Sequence, residues 1–109
     1  MMPKEHDLYC YCGETWSQNV SFKQSGEPMD LTGITAKAQI RPSENSPTLS
    51  AEMGCSVLGS EGKIILGLTA EQTAQLRPGS YRYDLQVTKN TEVQYYICGK
   101  FIVRGSVTK

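Results

Sequence analysis

The sequence predicts an all-β protein: an immunoglobulin-like antiparallel β-sandwich of about seven to eight strands, with one short crossover helix over Ala70 to Leu76. Three observations predict it. Apolar residues recur at every second position in several short runs, the period of a strand with one face buried. The runs return about every ten residues, with Gly, Pro, Asn or Asp between them. Only one stretch breaks that rhythm with the start and stop signals of a helix.

The first strand reads as Leu8 to Cys12, ended by Gly13, and the second as Thr15 to Lys23 with Trp16, Val20 and Phe22 on one face and Gln18 interrupting it. Gln24-Ser25-Gly26-Glu27-Pro28 is a turn, because Gly supplies positive φ and Pro presets a bend. From Ile34 to Arg41 the alternation is strict: Ala36, Ala38 and Ile40 fall on one face, Lys37, Gln39 and Arg41 on the other. Pro42 cannot donate to a ladder and closes this strand, and Ser43 to Pro47 is a polar loop.

Thr48 to Met53 alternates again and stops at Gly54. Cys55 to Leu58 and Lys63 to Leu68 flank Gly59-Ser60-Glu61-Gly62 as a hairpin, with Ile64, Leu66 and Leu68 inward. Thr69 and Gln72 form the capping box of the helix, and Arg77-Pro78-Gly79 terminates it. Two helical turns do not persist alone in water, so this helix is expected to cross between sheets and pack on them. Tyr81, Tyr83, Leu85 and Val87 give the clearest inward stripe; Lys89 to Glu92 then turns the chain into a last strand, Val93 to Arg104. There Val93, Tyr95, Ile97, Phe101 and Val103 share one parity and Tyr96, Cys98 and Ile102 the other, with Gly99 marking a bend or a close backbone approach.

At 109 residues the chain holds one domain, read as residues 8–104, with a flexible polar leader over 1–7 and a short tail over 105–109. Eleven Lys and Arg balance eleven Asp and Glu, so the basic footprint of a nucleic-acid binder is missing. No apolar run approaches the roughly 20 residues that span a bilayer, and the first seven residues lack the apolar core of a secretion signal. The expectation is a cytoplasmically made protein with no membrane insertion. In that compartment Cys10, Cys12, Cys55 and Cys98 read as reduced packing residues ahead of a disulfide or a metal site; Cys10 and Cys12 project to one strand face rather than forming a Cys-x-x-Cys knuckle.

Reactive groups do not gather. His6 is the sole histidine and lies in the leader; Ser17, Ser21, Ser50 and Ser56 have no base placed by a motif; no His-Glu-x-x-His pair exists. Asp30 suits a turn, Glu71 a helix start, and Asp84 the outer face of a strand, where it could pair with Arg41. No catalytic residue, cofactor or metal ligand is assigned. Trp16 reads as core, as do Tyr81 and Tyr83 with their hydroxyls at the rim.

The order of signals carries a resemblance. Gly13-Glu14-Thr15-Trp16, the Ser25-Gly26-Glu27-Pro28 turn, Asp30-Leu31-Thr32-Gly33, Ala38-Gln39-Ile40-Arg41, Gly62-Lys63-Ile64-Ile65-Leu66, Leu68-Thr69-Ala70-Glu71-Gln72-Thr73 and Pro78-Gly79-Ser80-Tyr81-Arg82-Tyr83-Asp84-Leu85 together resemble small phage and prophage virion proteins. These are tail or baseplate components with an immunoglobulin-like sandwich, similar to the amino-terminal domain of upper baseplate proteins. The resemblance covers about residues 8 to 104. It implies a non-enzymatic tail, baseplate or connector component that docks to other phage structural proteins or to its own copies, made in the host bacterial cytoplasm and carried into the virion. Candidate interface residues are Tyr9, Tyr11, Tyr96 and Ile102, together with strand edges. The alternative is a carbohydrate- or surface-binding module that uses Trp16, Tyr9, Tyr11 or Tyr96 as a stacking platform.

Overall fold

The alternating runs pair into a single curled sheet, seen in a computed structural model that describes residues 4–107. In chain order its elements are β1 (Lys4–Glu5), β2 (Leu8–Tyr11), β3 (Trp16–Ser21), β4 (Lys23–Gln24), β5 (Glu27–Pro28), β6 (Thr35–Arg41), β7 (Ala51–Leu58), β8 (Lys63–Leu68), α1 (Ala70–Ala74), β9 (Gly79–Lys89) and β10 (Glu92–Arg104). The order across the sheet is β1-β10-β9-β6-β7-β8-β3, with β2 also on β10; β4 and β5 make a separate hairpin.

One strand turns the sheet into two layers. Met53 of β7 lies opposite Ala38 of β6, but from Gly54 onward β7 pairs with β8, Gly54 opposite Gly67 and Leu58 opposite Lys63. The first layer is therefore β2-β10-β9-β6 and the second β7-β8-β3. Gly54 had read as the end of one strand; it is instead the corner inside a continuous one, where the missing side chain eases a change of partner.

Each layer turns its alternate apolar residues inward. Leu8, Cys10, Ala38, Ile40, Tyr83, Leu85, Val87, Ile97, Phe101 and Val103 come from the first layer, and Trp16, Met53, Ile64, Leu66 and Leu68 from the second. Trp16 meets Phe101 across the layers edge to face, centroids 5.2 Å apart. The expected core role of Trp16 and Tyr83 is thus realised.

Helix α1 carries the chain from β8 to β9, between layers. Its capping box forms as the sequence predicts: Gln72 N donates to Thr69 Oγ1 at 3.1 Å and Thr69 N to Gln72 Oε1 at 2.9 Å. A helix of five residues persists because it is fastened. The fully buried Thr73 hydroxyl donates to the Glu14 carbonyl at 2.7 Å and accepts from Gly13 N at 3.1 Å, pinning α1 to the β2–β3 turn.

Four features depart from expectation. β1 and β2 run parallel to β10, not antiparallel, with Lys4 opposite Ile97 and Leu8 opposite Phe101. Residues 4–5, within the expected leader, are therefore paired; residues 1–3, and 108–109 of the expected tail, lie outside those described. The Thr15 to Lys23 run divides, because the chain leaves β8 after Ser21 and starts the β4–β5 hairpin. In β10 the register shifts between Tyr95 and Ile97, so the single parity assigned to Val93 through Val103 breaks. Val93 and Tyr95 face outward, 52% and 43% exposed, while Ile97, Phe101 and Val103 face the core. Gly99 does mark a close approach: a Cβ there would lie 2.6 Å from the His6 carbonyl oxygen.

Candidate docking surface

The inward turn of Leu8 and Cys10 forces Tyr9 and Tyr11 to the outer face of the first layer, where they are 50% and 52% exposed. The parallel register then sets Tyr9 opposite Ile102 and Tyr11 opposite Arg104. The Arg104 guanidinium carbon stands 5.5 Å from the Tyr9 ring centroid, a cation–π contact that holds the ring against the sheet. Three of the four candidate interface residues, Tyr9, Tyr11 and Ile102, thus form one patch, to which Arg104 belongs as well. Alternation along β10 places Arg104 with Ile102, but only the pairing of β2 with β10 brings it to Tyr9. Tyr96 is not on this surface. The β10 bulge turns it to the opposite face, half-buried, with its ring edge-on to Phe22 at 5.1 Å.

A charged belt crosses the same face beside the patch. Arg41, Arg82 and Lys100 occupy one row across β6, β9 and β10. Like charges in adjacent positions repel, so each needs an outlet. Arg82 pairs with Glu44 at 3.0 Å, and Arg41 donates to the Pro47 carbonyl at 2.9 Å and to Gln39 Oε1 at 2.9 Å. Arg41 is the outward end of its strand, and the alternative Arg41–Asp84 pair does not form among the described residues, because the Ser43–Pro47 loop takes the guanidinium first. Burial pushes the Asp84 carboxyl up from its ordinary value and Arg41 offsets part of that. Beyond the belt, Gln86 Nε2 donates to the Tyr95 hydroxyl at 3.1 Å, and Tyr95 and Val93 form a second exposed apolar end. No single-sequence signal marks the bulge that exposes them.

The groups weighed for chemistry stay apart. The backbone of His6 donates to the Cys98 carbonyl at 2.8 Å and accepts from the Tyr83 hydroxyl, and its side chain is exposed. Asp30 closes its turn by accepting from Thr32 N at 3.0 Å, and hydrogen bonding from the Thr32 side chain, then from its backbone, lowers its carboxyl below the ordinary range. Glu71 sits in the first turn of α1. All four thiols are free; Cys10 is buried, and desolvation, then Glu14 and Cys12, push it up to about 11. Among the described residues no three His, Cys, Asp or Glu gather as metal ligands, and no helix is long and apolar enough to cross a membrane. The arrangement offers an aromatic, partly basic surface for contact.

No family model and no curated protein matches the sequence. Among solved structures, the fold is similar to the N-terminal domain of phage TP901-1 ORF48, with a TM-score of 0.53 at 10% identity, covering 93% of this chain and 98% of that one. At that identity the likeness is one of fold, extending over nearly the whole of both chains.

Proposed function

We propose that this protein is a non-enzymatic structural component of a phage or prophage virion, in the tail, baseplate or a connector, and that it works by docking to other virion proteins. The observation that carries the reading is the near-complete, two-way structural overlap with a phage protein's N-terminal domain. The order of sequence signals supports it independently, since it resembles the same class of virion proteins. The docking surface is the Tyr9, Tyr11, Ile102 and Arg104 patch: aromatic residues and Arg dominate the energetics of protein contacts, and two half-exposed tyrosines on a rigid strand lose little entropy when covered. Production in the bacterial cytoplasm and incorporation into the particle follow from this role.

The test is reconstitution of the full chain with the tail and baseplate proteins encoded beside it, followed by size-exclusion chromatography. Wild type should form a complex, and Tyr9→Ala/Tyr11→Ala should weaken it by at least tenfold, the loss of roughly 1.4 kcal/mol or more typical of interface tyrosines. Failure of every such protein to bind would overturn the reading. Glycan-array binding that disappears in Tyr11→Ala would replace it with the carbohydrate-binding alternative.

A further inference from the structure

Sheet edges are normally blunted against pairing with another chain, by charge, proline, a bulge or brevity. The two edges of this sheet differ in that respect. On one side, β1 and β2 carry Lys4, Glu5 and the intervening Asp7, and the strand breaks at His6–Asp7. On the other, β3 has β8 as its single strand neighbour among the described residues, and its six residues, Trp16-Ser17-Gln18-Asn19-Val20-Ser21, include no charge and no proline. Its register with β8 runs unbroken from Trp16 opposite Leu68 to Ser21 opposite Lys63.

The backbone geometry shows which groups are on offer. Phe22 N donates to the Gly62 carbonyl at 2.7 Å, on the β8 side. Alternation then turns the amides and carbonyls of Val20 and Gln18 to β8, and those of Ser17, Asn19 and Ser21 to the open edge. The Gln18 amide reaches the Asn19 carbonyl at 3.5 Å, which fits a carbonyl that β8 does not use. Gln18 and Val20 face the core yet remain half-exposed, so the interior is incompletely roofed along this edge.

We propose that β3 is a self-association edge: two copies pair β3 against β3, antiparallel about a two-fold axis, and join their second layers into one sheet. The exposed row Ser17, Asn19, Ser21 reads the same in both directions about Asn19, so a two-fold through Asn19 matches the row to itself, and β3 carries no charge to stand near its own copy. With Asn19 opposite Asn19 of the partner subunit, Ser17 lies opposite Ser21 of the partner subunit, and the edge-facing groups meet as hydrogen-bonded pairs. This pairing stands independently of the virion role.

Sedimentation equilibrium of the full chain tests it, with Asn19→Lys and Ser17→Lys as edge variants and Tyr11→Ala as a control; both edge positions are exposed, and thermal melts of dilute samples check that they fold. Wild type and Tyr11→Ala should dimerise at high micromolar concentration; Asn19→Lys should weaken the dimer by more than about tenfold, because the axis sets the two new charges directly against each other, and Ser17→Lys, whose charge faces Ser21 of the partner subunit, should weaken it by less. Amide hydrogen exchange at Ser17, Asn19 and Ser21 should slow with concentration in wild type and Tyr11→Ala and not in Asn19→Lys. A monomeric wild type, a dimer as tight in the folded lysine variants, or a dimer lost in Tyr11→Ala would each overturn the proposal.

Discussion

Replacing Gly99 with alanine should detach the N-terminal strands. The new Cβ would lie 2.6 Å from the His6 carbonyl oxygen, 3.0 Å from its carbonyl carbon and 3.0 Å from Asp7 Oδ1. Two of these are backbone atoms of a paired segment, so relief requires His6–Asp7 to move away from β10. Three hydrogen bonds end there: His6 N to the Cys98 carbonyl at 2.8 Å, the Tyr83 hydroxyl to the His6 carbonyl, and Lys100 N to Asp7 Oδ1 at 3.1 Å. At about 1 kcal/mol each their loss costs about 3 kcal/mol, and more where the buried Tyr83 hydroxyl finds no substitute. If the strain also lifts Leu8 from the core, about 2 kcal/mol is added. At about 4 °C per kcal/mol for a domain of this size, the melting temperature should fall by roughly 12 °C or more. Gly67→Ala is the control, since a Cβ there meets its nearest neighbour, the Trp16 carbonyl oxygen, at an ordinary 3.6 Å. It should be neutral or stabilising by up to about 1 kcal/mol, because alanine orders at less entropic cost than glycine in a strand. Thermal melts of both variants, with amide exchange over residues 4–11, decide the matter. Equal melting temperatures, with the N-terminal amides still protected in Gly99→Ala, would refute the reasoning.

Three further outcomes follow from named groups. Thr73→Val strands Gly13 N–H and the Glu14 carbonyl without their partner and should cost about 1–3 kcal/mol in urea unfolding, against a near-neutral Thr73→Ser. Burial raises the Asp84 carboxyl above its unfolded value of 3.8, so the folded state holds that proton more tightly; stability from this group grows as pH falls through the folded pKa and is lost as pH rises. Asp84→Asn should therefore raise the melting temperature at neutral pH and lose that advantage in acid, as melts across a pH series will register. Cys10, buried and with its thiol pushed up to about 11, should react with iodoacetamide at neutral pH only on unfolding, a difference that peptide mass spectrometry resolves.

What could be read from the chain was whatever neighbours in sequence decide. The Thr69–Gln72 box is closed by residues three apart, and the Tyr83, Leu85 and Val87 stripe by the pleat of one strand. Trp16 and Phe22 follow from the parity of theirs. The misses are all decided by a distant partner. A strand does not carry the direction of its neighbour in its own composition, so the parallel pairing of β1 and β2 with β10 was invisible. The β10 bulge has no Gly or Pro at Tyr95–Tyr96; it arises from register with β9, and it turned Tyr96 away from the outer face that carries the patch. Gly54 punctuates the sequence as a strand end should, yet its effect is a change of partner from β6 to β8. Of the docking patch, the common face of Tyr9 and Tyr11 was legible, whereas the company of Ile102 and Arg104 depended on tertiary register.

The N-terminal segment serves the inside and the outside of the domain at once, which links stability to docking in a way two variants can separate. Leu8 and Cys10 are buried while Tyr9 and Tyr11, on the same four-residue strand, are half-exposed. β2 is a short edge strand held by β10, by the clasp at Gly99 and by the Thr73 pin below it, so the patch is only as rigid as those fastenings. Tyr11→Ala removes contact area without touching a fastening, and should weaken docking while leaving the melting temperature near wild type. Gly99→Ala substitutes no patch residue and should weaken docking by loosening the strand that presents Tyr9 and Tyr11, with the melting temperature falling in step. Complex formation by Gly99→Ala as strong as wild type, measured on a sample whose residues 4–11 exchange freely, would show that partners do not use β2.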